Sequence, residues 1–161
     1  MKKMINLKIN NIPVTVPEGT TVLQAAKAAN IEIPSLCYLK DINCIGSCRV
    51  CVVEVKGRRG LVASCVYPVE EGMEVLTNTP KINQSRKTNL ELILSNHDRK
   101  CLSCVRSTTC ELQKLCNEYG VDETYFSGAK NEYKIDDASP IIRDNNKCIL
   151  CRRCVAACQK V

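Results

Sequence analysis

Apolar and polar residues alternate along the first part of the chain with the period of a half-buried β-strand. The alternation is carried by apolar residues at every second position: Ile5, Leu7, Ile9, Val14 and Val16. The pair Asn10-Asn11 interrupts it, and asparagine pairs are typical of tight turns between strands. Residues 4–17 are therefore predicted to form a β-hairpin.

A helical period near 3.6 residues follows in two places. The first helix is predicted to begin at Thr20 or Thr21, whose hydroxyls suit an N-cap, and to run to Asn30. The second is predicted to begin at Thr79-Pro80, with threonine as the cap and proline at the first helical position. Its apolar stripe, which places the single histidine on a buried face, consists of Leu90, Ile93, Leu94 and His97.

Shorter elements fill the rest of the chain. Strand-like runs are predicted at residues 52–56, 61–64 and 73–76, and Gly57-Arg58-Arg59-Gly60 is predicted to form the hairpin turn between the first two. Residues 111–119 favour a helix that Gly120 ends. The polar residues that follow, up to 147, are typical of a linker or extended arm.

Composition changes this picture through one residue type. The chain has 161 residues, 13 cysteines and no tryptophan, so each small core is expected to be thin and to need a metal or disulfides. The cysteine count is odd, and no apolar signal segment follows Met1-Lys2-Lys3-Met4. A reducing, cytoplasmic compartment and metal binding are therefore expected.

The charge pattern argues against two classes of partner. The formal net charge of +6 counts every cysteine as a neutral thiol, so metal-bound thiolates would remove part of it. The basic residues are scattered, and no basic helix with interleaved aromatic residues is present, so no nucleic-acid partner is predicted. No apolar run approaches membrane-spanning length, so no membrane insertion is predicted.

The densest cysteine group lies within residues 37–65. Cys48 and Cys51 form a C-x2-C pair, while Cys37 and Cys65 approach from outside it. Gly46 and Ser47 precede the pair and allow a tight loop whose N-H groups can point at inorganic sulfides. This pattern favours an iron-sulfur cage over a zinc knuckle, because zinc ribbons usually repeat the C-x2-C pair.

The fourth ligand of this first group stays open on spacing alone. Plant-type 2Fe-2S proteins use C-x4-C-x2-C, and Asn43 occupies the first position of that pattern here. Cys44 lies four positions before Cys48 and Cys37 lies eleven before it. Either cysteine can supply the missing thiolate.

A second group follows the second predicted helix, in the spacing H-x3-C-x2-C-x5-C. Its members are His97, Cys101, Cys104 and Cys110. A lone histidine on an apolar face is more often a satisfied core residue, but three thiols within thirteen positions reverse that expectation. Cys116 follows at the same x5 interval, so an all-cysteine cage without the histidine is an equal alternative. A helical Cys116 can instead be a small buried hydrophobic residue.

The third group has the spacing of a bacterial ferredoxin run, C-x2-C-x2-C-x3-C. It consists of Cys148, Cys151, Cys154 and Cys158. Gln159 stands where proline is usual, and the sequence stops at Val161. The fourth cysteine of such a run normally ligates the other cluster of a two-cluster protein, and no second run is present. A fragment of a larger chain, or an incomplete third site, is expected.

The order of these motifs resembles the N-terminal electron-input region of multi-cluster iron-iron hydrogenases of the NAD(P)-linked, electron-bifurcating type. The same region is similar to the start of the largest peripheral-arm subunit of complex I and of NAD-linked formate dehydrogenases. The resemblance covers essentially the whole chain and is carried by PSLCYLKDINCIGSCRVCVVEV, NHDRKCLSCVRSTTCELQ and NKCILCRRCVAACQKV.

The resemblance implies a ligand set for each cluster. It makes Cys37, Cys48, Cys51 and Cys65 the 2Fe-2S ligands. It makes His97, Cys101, Cys104 and Cys110 the ligands of a 4Fe-4S cluster. Both sets leave one cysteine spare, Cys44 and Cys116 respectively. The terminal run matches the first half of a two-cluster domain, with Cys148, Cys151 and Cys154 at an incomplete 4Fe-4S site and Cys158 belonging to the other cluster.

The resemblance also implies an α+β fold of three parts. These are a β-grasp, plant-type 2Fe-2S ferredoxin-like domain at 1–79, a small helical histidine-ligated 4Fe-4S domain at 80–120, and, after a linker at 121–140, a truncated bacterial-ferredoxin-like segment at 141–161. Oxygen sensitivity and an anaerobic host are further expectations from the family.

The function expected from this resemblance is electron transfer without a catalytic domain. The partners would be a flavin/NAD(P)H-binding subunit or ferredoxin on one side and the rest of the chain's own catalytic hydrogenase subunit on the other. The equivalent module of a complex I-type NADH dehydrogenase or a formate dehydrogenase is the alternative. No acid-base pair, activated nucleophile or phosphate loop is visible in the sequence. A zinc-stabilised interaction module is the alternative from a different class.

Overall fold

The structure, a computed structural model, describes residues 3–126, 128, 130, 132–138 and 140–160. The outermost positions of the predicted first and last domains, Met1, Lys2 and Val161, lie outside the described residues, as do four positions of the predicted linker. The chain divides into two compact units. The first contains the residues up to Arg86 together with those from Arg152, and the second is Lys87–Cys151.

A five-stranded sheet forms the framework of the first unit. Its strands are β1 (Met4–Ile9), β2 (Ile12–Pro17), β3 (Val52–Val55), β4 (Leu61–Ala63) and β5 (Glu74–Leu76). They lie in the order β2-β1-β5-β3-β4, and only the β1–β5 pairing is parallel. All the predicted strands are confirmed, with ends within one or two residues of the expected ones.

The turn between β1 and β2 shows why two asparagines stand there. Asn10 and Asn11 have φ of 51° and 66°, a left-handed conformation that asparagine tolerates better than most residues. The Asn10 amide also donates to the Thr77 hydroxyl at 2.7 Å, and its carbonyl oxygen accepts from the Thr77 N-H at 2.9 Å. The hairpin turn is thereby tied to the end of β5.

The first helix, α1 (Val22–Ala28), covers the sheet. Thr21 is its N-cap and forms a capping box with Gln24, as the threonine pattern predicted. The helix ends two residues before the predicted Asn30, which adopts a left-handed φ of 56°. Between helix and sheet lies an apolar core that includes Ile9, Val22, Ala25, Ala26 and Val53, all at 0% exposure.

The second unit is built from short helices and loops. The helix α2 (Pro80–Ser95) leads into it, and α3 (Glu111–Glu118) lies within it, close to the predicted bounds. Two short 3-10 helices, Cys101–Ser103 and Asn145–Lys147, precede cysteines of the second and third groups. Among the residues of this unit that the structure describes, the buried apolar side chains are few: Leu90, Leu94, Leu112, Leu115, Cys116 and Val121.

The prediction that His97 lies on the buried stripe of a helix is wrong. The helix α2 ends at Ser95, and His97 is half-buried in the turn that follows. The Ser95 hydroxyl donates to the Leu92 carbonyl at 2.8 Å, a local bond of the kind that competes with regular helix geometry. The His97 N-H donates to the Leu94 carbonyl at 3.2 Å, three positions back, which tightens the chain.

The last element, α4 (Arg153–Lys160), belongs to the first unit. It carries Cys154 and Cys158 of the terminal run, both exposed. Among the described residues, none of the helices combines the length and the apolar character needed to cross a membrane.

Candidate metal centres

The first cysteine group converges in the loop region beside β3 and β4. Cys37, Cys51 and Cys65 are fully buried at 0% exposure, and Cys48 is half-buried. The Cys37 side chain is hydrogen-bonded to Cys48 and Cys65, and Cys51 is hydrogen-bonded to Cys65. The structure therefore brings together all four thiols of the predicted 2Fe-2S set.

Hydrogen bonds among these thiols lower the pKa of two of them and raise the pKa of the other two. Hydrogen bonds from Cys48 and Cys65 hold the pKa of the Cys37 thiol far below its usual range. The same interactions, together with burial, raise the pKa of Cys48 and of Cys65. Hydrogen bonding from Cys65 lowers the pKa of Cys51. Four thiolates at this spacing need a compensating positive charge, and iron supplies it when thiolates ligate a cluster.

Backbone N-H groups surround the same sulfur atoms. Cys37 accepts from the N-H groups of Cys48 and Ser47, and Cys51 accepts from the N-H of Cys65, while the Ser64 hydroxyl donates to the Cys51 carbonyl at 2.7 Å. Such donors to sulfur stabilise ligated thiolates and set the potential of an iron-sulfur cluster. The donor set thus fits the group that the sequence predicted.

Left-handed residues shape this loop, among them Gly46 and Arg49. Gly46 has φ +63°, which favours glycine, and a Cβ added there would lie 3.3 Å from Cγ2 of Val66, a tight contact to which Val66 would have to adjust. Arg49, between the two cysteines of the pair, has φ 54° although it is not glycine. The sequence carried a signal for the first of these residues and none for the second.

Asn43 and Cys44 have roles that the spacing did not reveal. Asn43 is 2% exposed, and its amide donates to the Cys37 carbonyl at 2.8 Å, so it holds the backbone of the candidate ligand. The Cys44 thiol donates to the Cys65 carbonyl, and burial, with the nearby Cys51 and Cys37, raises its pKa. These contacts favour Cys37 over Cys44 as the fourth thiolate.

The second group lines a cavity of about 530 Å³ in the second unit. His97, Cys101, Cys110 and Cys116 are among its lining residues, so both candidates for the fourth ligand reach it. Cys104 is not a lining residue; it ends the 3-10 helix Cys101–Ser103, and its sulfur accepts from the Arg106 N-H at 3.5 Å. The cavity therefore brings together three of the four predicted ligands.

The two competing ligands differ in their surroundings. His97 Nδ1 is buried, with no hydrogen-bond partner among the described residues, and burial lowers the pKa of the imidazole. A neutral imidazole with an unsatisfied buried nitrogen is suited to bind a metal. Cys116 lies on α3, 6% exposed, and burial raises its pKa to about 11, as expected for an inert core thiol.

The third group has its members in both units. Cys148 and Cys151 belong to the second unit, and Cys154 and Cys158 belong to the first. Leu150 has a left-handed φ of 54°, and its N-H donates to the Cys148 sulfur at 3.4 Å, which resembles the donors in the first site. The cluster site predicted for this cysteine run stays a prediction from the sequence.

Sites for single metal ions follow a different geometry from cluster sites. Within the described part of the chain, no group of three or more histidine, cysteine, aspartate or glutamate side chains is arranged to hold one ion. In iron-sulfur clusters the ligands bind different irons, so the protein atoms need not converge on one point.

The first unit has a ferredoxin-like sheet with a four-cysteine loop, and the second has a cavity lined by one imidazole and several thiols. These features are typical of iron-sulfur proteins. Comparison with known families agrees. Residues 2–80 match the 2Fe-2S iron-sulfur cluster binding domain, and residues 86–124 match the NADH-ubiquinone oxidoreductase-G iron-sulfur binding region. The chain therefore binds a 2Fe-2S and a 4Fe-4S cluster, as predicted.

Individual relatives show which iron-sulfur proteins the chain is similar to. The chain is 46% identical to the NADP-reducing hydrogenase subunit HndD of Solidesulfovibrio fructosivorans, over 98% of this chain and 28% of the relative. It is 37% identical to the NADH-ubiquinone oxidoreductase 75 kDa subunit of Reclinomonas americana, over 94% of this chain and 22% of the relative. A crystal structure of an NAD+-reducing [NiFe]-hydrogenase matches with a TM-score of 0.90 at 34% identity, over 97% of this chain and 66% of that one.

The chain belongs to the iron-sulfur electron-transfer modules of hydrogenase and complex I-type proteins. The resemblance and the α+β, ferredoxin-like fold expected from it are thereby confirmed. The chain spans 28% or less of the length of the curated relatives it matches.

Proposed function

We propose that this module relays single electrons to or from the catalytic part of a larger NAD(P)-linked hydrogenase. The observation that carries the proposal is the convergence of four cysteine side chains with backbone donors to their sulfurs, on a fold shared with such enzymes. A bound iron-sulfur cluster stores and releases one electron with little rearrangement. The similarity to HndD favours the hydrogenase over the other candidates.

The ligand assignments are part of this proposal. In the first site the thiolates are Cys37, Cys48, Cys51 and Cys65, with the backbone N-H groups of Ser47, Cys48 and Cys65 donating to sulfur. In the second site the ligands are His97, Cys101, Cys104 and Cys110. At the third site Cys148, Cys151 and Cys154 are ligands of another 4Fe-4S cluster, and Cys158 serves a further cluster. The domain bounds 1–79, 80–120, 121–140 and 141–161 follow these sites.

The chain's own residues perform three tasks in this role. Burial excludes water from the first site, since the thiols of Cys37, Cys51 and Cys65 are fully buried. The N-H donors stabilise negative charge on sulfur, which makes acceptance of an electron easier. A neutral His97 in place of a thiolate removes one negative charge from the second site and favours reduction there.

The electron partners are inferred from the relatives' names. Those names describe an NADP-reducing hydrogenase and an NADH-ubiquinone oxidoreductase, each as one subunit among others, so this module works within a larger complex. A flavin/NAD(P)H-binding subunit or a ferredoxin exchanges electrons at one end, and the remainder of the catalytic subunit at the other. A reducing cytoplasm fits the absence of disulfides among the described residues.

A complex I-type role is the second candidate. It is favoured by the 37% identity to the NADH-ubiquinone oxidoreductase 75 kDa subunit and by the match of residues 86–124. Expression within the complete protein separates the two: hydrogen oxidation with NADP+ supports the first role, whereas NADH-dependent ubiquinone reduction supports the second.

Anaerobic purification tests the electron-transfer role itself. We expect brown protein that contains iron and acid-labile sulfide and gives paramagnetic signals of a 2Fe-2S and a 4Fe-4S cluster on reduction. Colourless protein with stoichiometric zinc and no sulfide would support the zinc-stabilised interaction module instead.

A further inference from the structure

The terminal helix α4 contacts the loop that follows Cys37. Arg153 Nη2 donates to the Tyr38 carbonyl at 3.0 Å, although the two residues are 115 positions apart. At the other end of α4, the Lys160 ammonium donates to the Asp41 carbonyl. Both carbonyls lie within four residues of Cys37, so a helix remote in sequence fixes the backbone of the first metal site.

The Arg153 guanidinium is partly removed from water. The residue is half-buried, and its Nε atom is buried. A guanidinium stays protonated at any physiological pH, so it carries a permanent positive charge there. That charge is less screened than a charge on a fully exposed side chain, because water and ions reach it poorly.

Cys37, the ligand of the first site next to Tyr38, responds to such a charge. Cys37 directly precedes Tyr38 and is fully buried, so water does little to stabilise negative charge on its sulfur. Reduction adds one more negative charge to a thiolate-ligated cluster. A fixed cation beside this loop favours the reduced form over the oxidised form.

We propose that Arg153 is a positioning residue for the 2Fe-2S site, which anchors the loop after Cys37 and raises the reduction potential through its charge. The inference rests on the proposed electron-transfer function. It adds a determinant of potential that lies more than a hundred positions from the first ligand and outside the match at residues 2–80.

The test compares the midpoint potential of the 2Fe-2S signal in four proteins, purified anaerobically as the full chain. R153Q removes the charge and retains an amide donor for the Tyr38 carbonyl, while R153K retains the charge. K40Q is the matched control, because Lys40 is an exposed cation on the same loop and its replacement changes net charge equally. Iron content and signal intensity per protein are measured alongside.

We expect R153Q to lower the midpoint potential so that the reduced-to-oxidised ratio at a fixed applied potential falls about tenfold, which is about 59 mV for one electron. K40Q and R153K should stay within about threefold of the wild type, or about 28 mV on the same scale. An unchanged midpoint in R153Q with full iron content, or an equal shift in K40Q, would refute the proposal.

Loss of the cluster is also informative. If R153Q does not retain the cluster, R153K decides. A wild-type midpoint potential in R153K supports the role of the charge, and a tenfold lower reduced-to-oxidised ratio in R153K refutes it. If the wild-type protein itself gives no 2Fe-2S signal, the proposed electron-transfer function fails, and the result is distinguishable from a failure of Arg153 alone.

Discussion

In this protein, the hydrogen-bond contacts of individual side-chain atoms distinguish the proposed ligands from the spare side chains. Cys37 and Cys44 carry the same thiol on the same loop, yet the first is hydrogen-bonded to Cys48 and Cys65 while the second donates to a carbonyl. His97 and Cys116 line the same cavity. The buried Nδ1 atom of His97 has no hydrogen-bond partner among the described residues, which leaves it available to a metal. Spacing alone left both choices open, because it does not specify where a side chain points.

Substitutions at the second site test the choice between His97 and Cys116. We expect His97→Ala to abolish or alter the 4Fe-4S signal, because the imidazole supplies the fourth ligand. Cys116→Ala should leave the signal and iron content intact and cost about 1 kcal/mol of stability, as for removal of a small buried group. Paramagnetic spectra of the reduced variants decide, and loss of the cluster only in Cys116→Ala would show an all-cysteine site.

A second pair of substitutions tests the first site. Cys44→Ser should retain the 2Fe-2S signal at wild-type intensity, since a serine hydroxyl can still donate to the Cys65 carbonyl. Cys37→Ser should lose the signal or change it, because a hydroxyl replaces one of four thiolates. Both variants are read by visible absorption and by sulfide content. Equal loss in both would mean that Cys44 also supports the cluster directly.

At the scale of elements, the sequence predicted regular structure well and loops poorly. The alternation of Ile5, Leu7 and Ile9 suffices for β1, because a one-residue slip would expose the whole apolar set. The left-handed Arg49 and Leu150, by contrast, carry no sequence signal, since neither residue prefers that conformation. Their φ values are imposed by the cysteine loops around them. The end of α2 before His97 was missed for a similar local reason, a serine hydroxyl that competes with the helix.

The loop of the first site should fail on a small change of backbone freedom. Gly46→Ala introduces a left-handed alanine, which costs about 1–2 kcal/mol, and places Cβ 3.3 Å from Val66. We expect lower 2Fe-2S content and a lower melting temperature. Gly57→Ala is the control, because it has φ +81° but open space around it, so it should cost backbone strain and leave the cluster content unchanged. Equal cluster loss in both variants would contradict a specific role for Gly46.

The turn before β5 makes a pH-dependent contribution to the sheet. The backbone N-H of Asn6 donates to the Glu71 carboxylate at 2.9 Å, and the Asn6 amide donates to its other oxygen at 3.1 Å. These bonds lower the pKa of Glu71 below its ordinary value of 4.5. The stabilisation is therefore complete above pH 4.5 and is lost as the pH falls through the lower pKa of the folded state.

The carboxyl chemical shift of Glu71, followed by NMR, measures this effect. We expect a titration midpoint below 4.5 in the wild type and a midpoint closer to 4.5 in Asn6→Ala, which keeps the backbone N-H and removes the amide. A wild-type midpoint at or above 4.5 would show that the hydrogen bonds are not made in solution.

At the scale of the whole molecule, the two units depend on metal to different degrees. The first unit has a continuous apolar core between α1 and the sheet, in addition to its cysteine site. Among its described residues the second unit buries six apolar side chains, Leu90 and Leu115 among them, and the candidate cluster site is a cavity of about 530 Å³. A core of that size supplies little stability by itself, so the cluster must supply much of the remainder.

Removal of iron should therefore unfold the second unit first. After anaerobic chelation, we expect amide hydrogen exchange in α3 (Glu111–Glu118) to lose its protection, while β1 (Met4–Ile9) and β2 (Ile12–Pro17) keep most of theirs. Reloading with iron and sulfide should restore protection in α3, which serves as the control for irreversible damage. Equal loss in both units would show that the apolar core of the first unit also requires its cluster, and unchanged protection in α3 would show that the second unit folds without metal.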